Sequence, residues 1–337
     1  MTPLLEVRDL HVQFRGRHGV ARAVDGVDLE MSDGEIVALV GESGCGKTTL
    51  SRAMVGLQRP DAGKVRLRGE PLRWDRRGLR AHRREVQMIF QDPTGALNAR
   101  QTIYAAVAEG VRIQRMPGDE EQLVADALAR AGLRPPERFF ARYPYEISGG
   151  QRQRVIIAGA MVLRPSLLVA DEPVSSLDAS VRGEILALML RLVRETQVSI
   201  LVVTHDLGLA WNVADRVAVM YLGRIVEQGT TEELLTAPRH PYTRALLSVV
   251  PEVAHMAPQL LTGEAPDPTR IPPGCRFHPR CPLVASGEAA RLGIEARCRG
   301  EDVPLRPVPA PAAGSSHVAA CHALAATPLT AGSKQPA

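Results

Sequence analysis

The sequence has few aromatic residues and no long hydrophobic segment. Phe, Trp and Tyr make up 4% of its 337 residues, so we expect aliphatic side chains to fill the core. The longest apolar runs, residues 36–40 and 199–203, are far shorter than the roughly 18 residues that a membrane-spanning helix needs. The first ten residues contain Glu6 and Asp9, where a secretory signal would be apolar. These absences favour a cytoplasmic protein whose apolar runs are buried strands.

Cysteine is nearly absent from most of the chain and is concentrated near its end. Residues 1–274 contain only Cys45. Cytoplasmic thiols are normally reduced, so a metal centre or chance explains the clustering better than disulfides do. The clustered residues are Cys275, Cys281, Cys298 and Cys321.

Neither sign of charge dominates the sequence. The 41 Lys and Arg residues nearly balance the 37 Asp and Glu residues, for a net charge of +4. This balance does not indicate a nucleic-acid surface, so no nucleic-acid partner is predicted.

The length exceeds that of a usual single domain, and prolines interrupt the chain after residue 250. We therefore predict a main domain over residues 1–250, an extension over 251–325 and a disordered tail over 326–337.

Strand and helix patterns alternate along the main domain. Short apolar runs before residue 40 indicate strands, and helical spacing follows a glycine-rich turn. An insertion over about 92–165 has mainly helical periodicity. The later alternation predicts a parallel sheet covered on both faces. Its elements are helices at 152–163 and 181–196 and strands at 166–171 and 198–205.

The turn GESGCGKT, residues 41–48, fits the phosphate-loop pattern between a strand and a helix. Its glycines allow successive backbone N–H groups to point at an anion at a helix N-terminus. Lys47 is expected to reach the β- and γ-phosphates, and Thr48 to supply an oxygen to Mg²⁺. The expected nucleotide contacts are Gly41, Ser43, Gly44, Cys45, Gly46, Lys47, Thr48 and Thr49.

Two carboxylates follow the apolar run LLVA, residues 167–170. Asp171 is expected at the carboxyl end of a buried strand, where ligands of open α/β sheets collect. We expect it to bind Mg²⁺ directly or through water. Glu172 is expected to orient or deprotonate the attacking water.

Six motifs in order resemble the ATP-binding-cassette (ABC) ATPases over residues 4–240. They are the phosphate loop, FQD at 90–92, ISGGQRQR at 147–154, DEP at 171–173, SSLD at 175–178 and TH at 204–205. The resemblance implies an α/β, ABC-type P-loop NTPase fold with a helical subdomain, and ATP hydrolysis. It also implies that two cassettes close head to tail around two ATP molecules, each phosphate loop facing the other chain's signature.

Further roles are implied by the resemblance, position by position. Gln91 would contact Mg²⁺ and the attacking water, and transmit closure to a membrane partner. His205 would donate a hydrogen bond to the γ-phosphate, and Asp178 would couple the two sites. Phe14 would stack on adenine, with a buried strand residue as the alternative. The contacts that reach across the interface would be Ser148, Gly149, Gly150 and nearby Gln151.

A second resemblance, carried by residues 88–103, 172–181 and 240–251 and by CRFHPRCP at 275–282, is to the ATPase subunits of bacterial dipeptide and oligopeptide importers. It implies two integral membrane permeases, an indirect solute-binding partner outside the cytoplasm, and a second ATPase, identical or distinct. The chain would lie peripherally on the cytoplasmic face of the inner (plasma) membrane. Nickel or another small solute is the alternative cargo.

Some members of this importer family carry a [4Fe–4S] cluster on such an extension, which four thiolates could hold. The resemblance thus implies the ligands Cys275, Cys281, Cys298 and Cys321. Zinc is the alternative, since His278, His317 and His322 lie near these cysteines, and thiols without a ligand are a third reading.

Two other function classes fit parts of the sequence. A soluble ABC ATPase acting on ribosomes or nucleic acid could carry a cluster, but such proteins have two cassettes and an N-terminal cluster domain. A redox protein with a vestigial nucleotide fold conflicts with the intact Asp171, Glu172 and His205. An importer ATPase is therefore the favoured prediction.

Overall fold

Two β-sheets organise the computed structural model, which describes residues 2–16, 19–175, 177–250, 258–259, 261, 263, 267–309 and 316–325. The smaller sheet is antiparallel and has the strand order β2-β1-β4-β5. The larger sheet has the order β11-β12-β10-β9-β3-β8-β7-β6. The predicted tail over 326–337 lies outside the described residues.

The strands of the smaller sheet are β1 (Leu5–Gly16), β2 (Gly19–Met31), β4 (Ala62–Leu67) and β5 (Glu70–Pro71). Those of the larger sheet are β3 (Ile36–Val40), β6 (Val86–Ile89), β7 (Leu167–Asp171), β8 (Ser199–Thr204), β9 (Arg216–Tyr221), β10 (Arg224–Thr230), β11 (Arg306–Pro307) and β12 (Val318–Ala319). The parallel prediction holds for β9-β3-β8-β7-β6. It is wrong for the other edge, where β10, β12 and β11 pair antiparallel.

Helices cover both faces of the larger sheet, and every regular element from Pro93 to Met161 is helical. The helices of the main domain are α1 (Lys47–Met54), α2 (Arg76–Glu85), α3 (Pro93–Ala96), α4 (Ile103–Gln114), α5 (Glu120–Arg130), α6 (Glu137–Phe140), α7 (Gly149–Met161), α8 (Ala179–Thr196), α9 (Leu207–Val213), α10 (Thr231–Thr236) and α11 (Pro241–Ser248). Those of the extension are α12 (Pro282–Ala285), α13 (Glu288–Arg291) and α14 (Glu295–Gly300), beside short 3₁₀ turns. No helix among the described residues combines the length and the apolarity that crossing a bilayer requires.

The central strands are short, continuous apolar runs because both of their faces are buried. All five residues of β3 are buried, as are those of β7. Aliphatic side chains on one face pack against the helical insertion, and those on the other pack against α1 and the smaller sheet. The aliphatic core predicted from the low aromatic content is confirmed in these two clusters.

Three aromatic side chains pack together where the extension meets the main domain. Tyr221, Tyr242 and Phe277 are almost fully buried. Their ring centroids lie 4.7 Å (Tyr221 to Tyr242) and 5.2 Å (Tyr221 to Phe277) apart, in edge-to-face contact. Such pairs contribute beyond the area that they bury. The packing of Phe277 against Tyr221 and Tyr242 therefore anchors the extension to the main domain.

The extension also completes the larger sheet. Val318 and Ala319 of β12 pair with Gln228 and Glu227 of β10. The sheet thus continues across the boundary predicted at residue 250. Residues 251–257 are outside the described part of the chain.

A buried carboxylate fastens this added strand. Glu227 is fully buried and accepts backbone N–H groups from Arg239 at 2.6 Å and His240 at 2.9 Å. His317 Nε2 lies 2.7 Å from its Oε1. Burial alone would raise the pKa of Glu227, but hydrogen bonds, first the one from His317, outweigh it and hold the pKa below its ordinary value.

His317→Ala is expected to lower the free energy of unfolding by roughly 1–3 kcal/mol, because Glu227 stays buried but loses a hydrogen bond. Chemical denaturation at pH 7 measures this loss. Because the folded-state pKa of Glu227 is depressed, its contribution is complete above the ordinary Glu pKa and disappears as the pH falls through the folded value. Glu227→Gln should remove that part of the pH dependence; an unchanged acid profile would contradict the assignment.

Candidate nucleotide-binding site

The phosphate loop joins β3 to α1, as its sequence pattern predicts. Gly41, Gly44 and Gly46 have φ angles of 155°, 78° and 111°. A Cβ on Gly41 would lie 2.2 Å from the Met220 carbonyl oxygen, and one on Gly46 would lie 2.0 Å from that of Ala23. Only glycine fits at these two positions. The loop therefore presses its backbone against neighbouring strands, as the predicted anion nest requires.

Lys47, the first residue of α1, is buried against the loop that it follows. Its Nζ donates hydrogen bonds to the carbonyl oxygens of Gly41 at 2.7 Å and Glu42 at 2.9 Å. The ammonium group is thereby held beside the backbone that would cradle phosphates. The loop and the end of β7 enclose a cavity of about 190 Å³ lined by Ala23, Ser43, Gly44, Gly46, Lys47, Thr48, Thr49, Gln91, Asp171, Glu172 and Pro268.

Asp171 ends β7 inside this cavity and is 4% exposed. Burial raises the pKa of its carboxyl group, while a hydrogen bond from Thr48 acts in the opposite direction. Its Oδ1 has no hydrogen-bond partner among the described residues. A buried carboxylate oxygen without a partner, beside a threonine hydroxyl, is a donor set that suits a hard cation such as Mg²⁺. The residues present thus fit the predicted metal, and Gln91 lines the same cavity.

Glu172 and His205 lie in direct contact, which the sequence did not indicate. Nδ1 of His205 is 2.6 Å from Oε1 of Glu172. Glu172 has a φ of 50° and donates its N–H to the Val203 carbonyl at 2.8 Å. A left-handed conformation at a residue other than glycine is strained and is often found at functional sites. The two predicted catalytic side chains therefore form one unit at the ends of neighbouring strands.

The signature stretch lies outside this cavity. Ser148 caps α7, where its Oγ accepts the Gln151 N–H at 3.2 Å and the Gln151 side chain accepts the Ser148 N–H at 3.0 Å. Ser148 is exposed, and Gly149 and Gly150 are half-buried. Within one chain, these residues do not line the cavity with the phosphate loop. Their contact with a second chain's nucleotide stays a prediction.

Besides the signature residues, three of the predicted nucleotide contacts, Phe14, Gly41 and Cys45, are not among the residues that line the cavity. Phe14 is 45% exposed on β1, so the alternative of a buried strand residue is wrong, while stacking on adenine stays a prediction. The Cys45 thiol is 6% exposed and packs in the core beneath the loop. Burial raises its pKa, which lowers its reactivity. Asp178 is exposed at the start of α8.

Sequence reasoning missed several residues around the loop. Ala23 and Pro268 line the cavity, and Pro268 accepts the Arg22 N–H at 3.1 Å. The Tyr242 hydroxyl accepts the Glu42 N–H at 2.9 Å. Nothing in the local pattern around Pro268 or Tyr242 indicates nearness to a phosphate loop. The chain path alone brings them there.

The four cysteines of the extension lie close enough to affect one another's titration. The Cys275 N–H donates to the Cys298 carbonyl at 2.9 Å. Burial raises the pKa of Cys275 to about 11 and that of Cys321 to about 12, and the other clustered thiols contribute to both shifts. Even so, the described residues contain no group of three or more His, Cys, Asp or Glu side chains arranged to hold a metal ion. The iron–sulfur prediction is therefore not confirmed and stays a prediction.

The histidines proposed as zinc ligands have other contacts. His317 pairs with Glu227. His278 Nδ1 lies 2.9 Å from the Cys275 carbonyl oxygen, and His322 Nε2 lies 3.1 Å from that of Glu301. One ring nitrogen of each histidine therefore has a protein partner in place of a metal.

Comparisons with known proteins bear on both parts of the chain. Residues 24–175 match the family described as ABC transporter, and residues 226–287 match the family described as the oligopeptide/dipeptide transporter C-terminal region. A relative from Sinorhizobium fredii, the probable peptide ABC transporter ATP-binding protein y4tS, is 43% identical over 318 residues, covering 91% of this chain and 85% of that protein. The chain belongs to the ABC transporter ATPases.

Two further comparisons agree with this assignment. The oligopeptide transport ATP-binding protein AppF of Bacillus subtilis is 38% identical over 335 residues, covering 95% of this chain and 97% of AppF. Among solved structures, the dimeric ATP-binding cassette MJ0796, in a post-hydrolysis state bound to ADP and Pi, has a TM-score of 0.61 and 26% identity. That match covers 67% of this chain and 98% of the cassette. The predicted ABC fold and ATPase class are confirmed.

Glu172→Gln is expected to bind ATP about as tightly as the wild type but to hydrolyse it at least about 100-fold more slowly, because the amide cannot accept a proton from water. Phosphate release measures turnover, and equilibrium nucleotide binding measures affinity. The matched control is Glu195→Gln, which alters an exposed ion pair with Arg191. Near-normal hydrolysis by Glu172→Gln would remove Glu172 from its role.

Proposed function

We propose that this chain is the ATP-hydrolysing subunit of a membrane importer that takes up dipeptides and oligopeptides. One observation carries the proposal: a cassette site and an oligopeptide/dipeptide-type extension occur in one chain and share one β-sheet. The named relatives, a probable peptide ABC transporter protein and an oligopeptide transport protein, match over most of their own length. The importer then uses the closing and opening of its cassettes to drive transport.

We assign the chemistry to the cavity between the phosphate loop and β7. Backbone N–H groups of the cavity-lining loop residues Ser43, Gly44 and Gly46 bind the phosphates together with the Lys47 ammonium. Thr48, Asp171 and Gln91 hold Mg²⁺, which when bound neutralises charge on the β- and γ-phosphates. Glu172 accepts the proton of the attacking water. His205 orients the Glu172 carboxylate through its Nδ1, 2.6 Å from Oε1, and with both ring nitrogens protonated it also donates its Nε2–H to the γ-phosphate.

The exposed signature of one chain completes the site of another. Ser148 caps α7, and Gly149 and Gly150 are its first residues, where backbone N–H groups and the helix dipole favour an anion. In the importer they face the phosphate loop of a second ATPase subunit, identical or distinct, and Gln151 lies beside them. Asp178, exposed at the start of α8, couples the two sites, and Phe14 stacks on adenine. Two permease subunits bind the ATPase pair on the cytoplasmic side of the plasma membrane, and the solute-binding protein acts through them.

We also propose that the extension holds a [4Fe–4S] cluster through its four cysteines, with zinc as the alternative occupant. The support is the number of cysteines in the extension and the backbone hydrogen bond from Cys275 to Cys298, which brings two of their segments together; the described side chains would have to rearrange to hold a metal. When bound, a cluster would cross-link segments of an extension whose regular elements are all short. Because thiolates are the form that binds metal and burial raises the pKa of Cys275 and Cys321, binding of a metal would release protons.

The transport proposal predicts that cells lacking this chain lose peptide uptake. Wild-type protein should restore it, whereas Lys47→Ala should restore less than about a tenth of it, because the phosphates lose their ammonium partner. Radiolabelled dipeptide uptake is the measurement, with nickel uptake followed in parallel. Integral permeases should copurify with the tagged chain from membranes. Restored nickel uptake alone, or recovery with ribosomes and without permeases, would contradict the proposal.

The cluster proposal predicts about four iron atoms per chain after anaerobic purification, with a broad visible absorbance. Cys275→Ser should lose both, whereas Cys45→Ser, which alters the thiol beneath the phosphate loop, should keep them. Metal analysis and absorbance spectroscopy measure the outcome. Stoichiometric zinc without iron would overturn the assignment.

A further inference from the structure

An arginine of the cysteine-bearing extension contacts the phosphate loop directly. Arg280 lies between Cys275 and Cys281, at the end of the 3₁₀ turn His278–Arg280. Its Nη1 donates to Oε2 of Glu42 at 2.8 Å, and its Nη2 donates to Oε1 at 3.1 Å. Glu42 is the second residue of the loop GESGCGKT. The extension therefore holds the loop through a two-pronged ion pair.

This ion pair is mostly withdrawn from water. The Arg280 side chain is 10% exposed and the Glu42 side chain 26%. The Arg280 guanidinium also lies 6.0 Å from the ring centre of Tyr221, which belongs to the aromatic cluster anchoring the extension. Two-pronged arginine–carboxylate pairs are geometrically specific, and partial burial strengthens them. The Arg280 guanidinium is thus held by Glu42 of the loop and by the ring of Tyr221.

Glu42 connects Arg280 to the phosphate-binding lysine. The Glu42 carbonyl accepts a hydrogen bond from Lys47 Nζ at 2.9 Å, and the Glu42 N–H donates to the Tyr242 hydroxyl at 2.9 Å. Side chain, carbonyl and N–H of this single residue therefore all have partners. A displacement of Arg280 would move the backbone that positions Lys47.

The charge of Glu42 gives the contact a second consequence. The phosphate-loop pattern leaves its second position free, so the anion nest does not need an acid there. A carboxylate in a loop that binds a triphosphate repels it unless a cation neutralises the carboxylate. Arg280 supplies that cation. Arg276, by comparison, pairs with Asp25 of β2 and not with a residue of the loop.

We propose that Arg280 is a positioning residue for ATP: it neutralises and holds Glu42, so that the affinity of the phosphate loop for ATP depends on docking of the extension around Cys275 and Cys281. The proposal rests on the phosphate-loop function proposed above. By linkage, bound ATP stabilises the docked extension by the same factor by which docking raises ATP affinity.

The test is a double-mutant cycle on Arg280 and Glu42 in the full-length chain. Arg280→Gln leaves the Glu42 carboxylate unpaired and should raise the Kd for MgATP about 5- to 20-fold, within the usual range of coupling between sites, with kcat within about twofold. Adding Glu42→Gln removes the repelling charge, so the double variant should bind within about threefold of wild type. The matched control, Arg299→Gln, alters an exposed pair with Glu295 in the same extension and should leave Kd unchanged.

The affinities of these variants decide the proposal. Wild-type affinity in Arg280→Gln, or a double variant as weak as Arg280→Gln, would overturn it, because a purely structural arginine would not be rescued by Glu42→Gln. Should Arg280→Gln not fold, Arg280→Lys, which keeps the charge without the fork, should give an intermediate Kd. Failure of wild type and Arg299→Gln to bind ATP would instead refute the proposed phosphate-loop function.

Reciprocity gives a second readout. Amide hydrogen exchange of residues 275–285 should slow when MgATP binds the wild-type chain, and this protection should be smaller in Arg280→Gln. Equal protection in both proteins would show that ATP and the extension communicate by another route, and would overturn the role of Arg280.

Discussion

The nucleotide site depends on backbone approaching backbone more closely than any side chain permits. Gly41 lies against the Met220 carbonyl and Gly46 against that of Ala23, so a methyl group at either position would collide with main-chain atoms that cannot rotate away. This approach fixes the loop between two strands, where Ser43, Gly44 and Gly46 line the cavity in which an anion would lie. Other groups of the site are arranged around this loop. Lys47 donates a hydrogen bond to the loop carbonyl of Gly41, and Asp171 lies across the cavity. The side chain of Glu42, within the loop, pairs with Arg280.

The end of β7 has two locally unfavourable features that an ordinary strand end lacks. Asp171 keeps a buried oxygen without a hydrogen-bond partner among the described residues, and Glu172 adopts a left-handed backbone. Each feature is unfavourable in a folded protein. Both are understandable where a cation and a water must be held beside a triphosphate, since ligand contacts then replace the missing ones. Such departures from local preference are expected at functional sites.

The extension belongs physically to the cassette. It adds β12 to the larger sheet, inserts Phe277 among Tyr221 and Tyr242, and reaches the phosphate loop through Arg280. The segment that carries the cysteines and the phosphate loop thus share one contact, the ion pair between Arg280 and Glu42. Changes in one can be transmitted to the other through a short series of packed and charged groups.

The sequence alone determined the features that are local in the chain. The strand, glycine turn and helix around Lys47 and the strand ending at Asp171 follow from spacing and propensity, which act between near neighbours. The antiparallel edge of the sheet, the contact of Glu172 with His205 and the place of Pro268 in the cavity did not follow. Neither did the pairing of Arg280 with Glu42. Only the tertiary structure decided them, because they join residues distant in sequence, and which distant groups meet depends on the path of the whole chain.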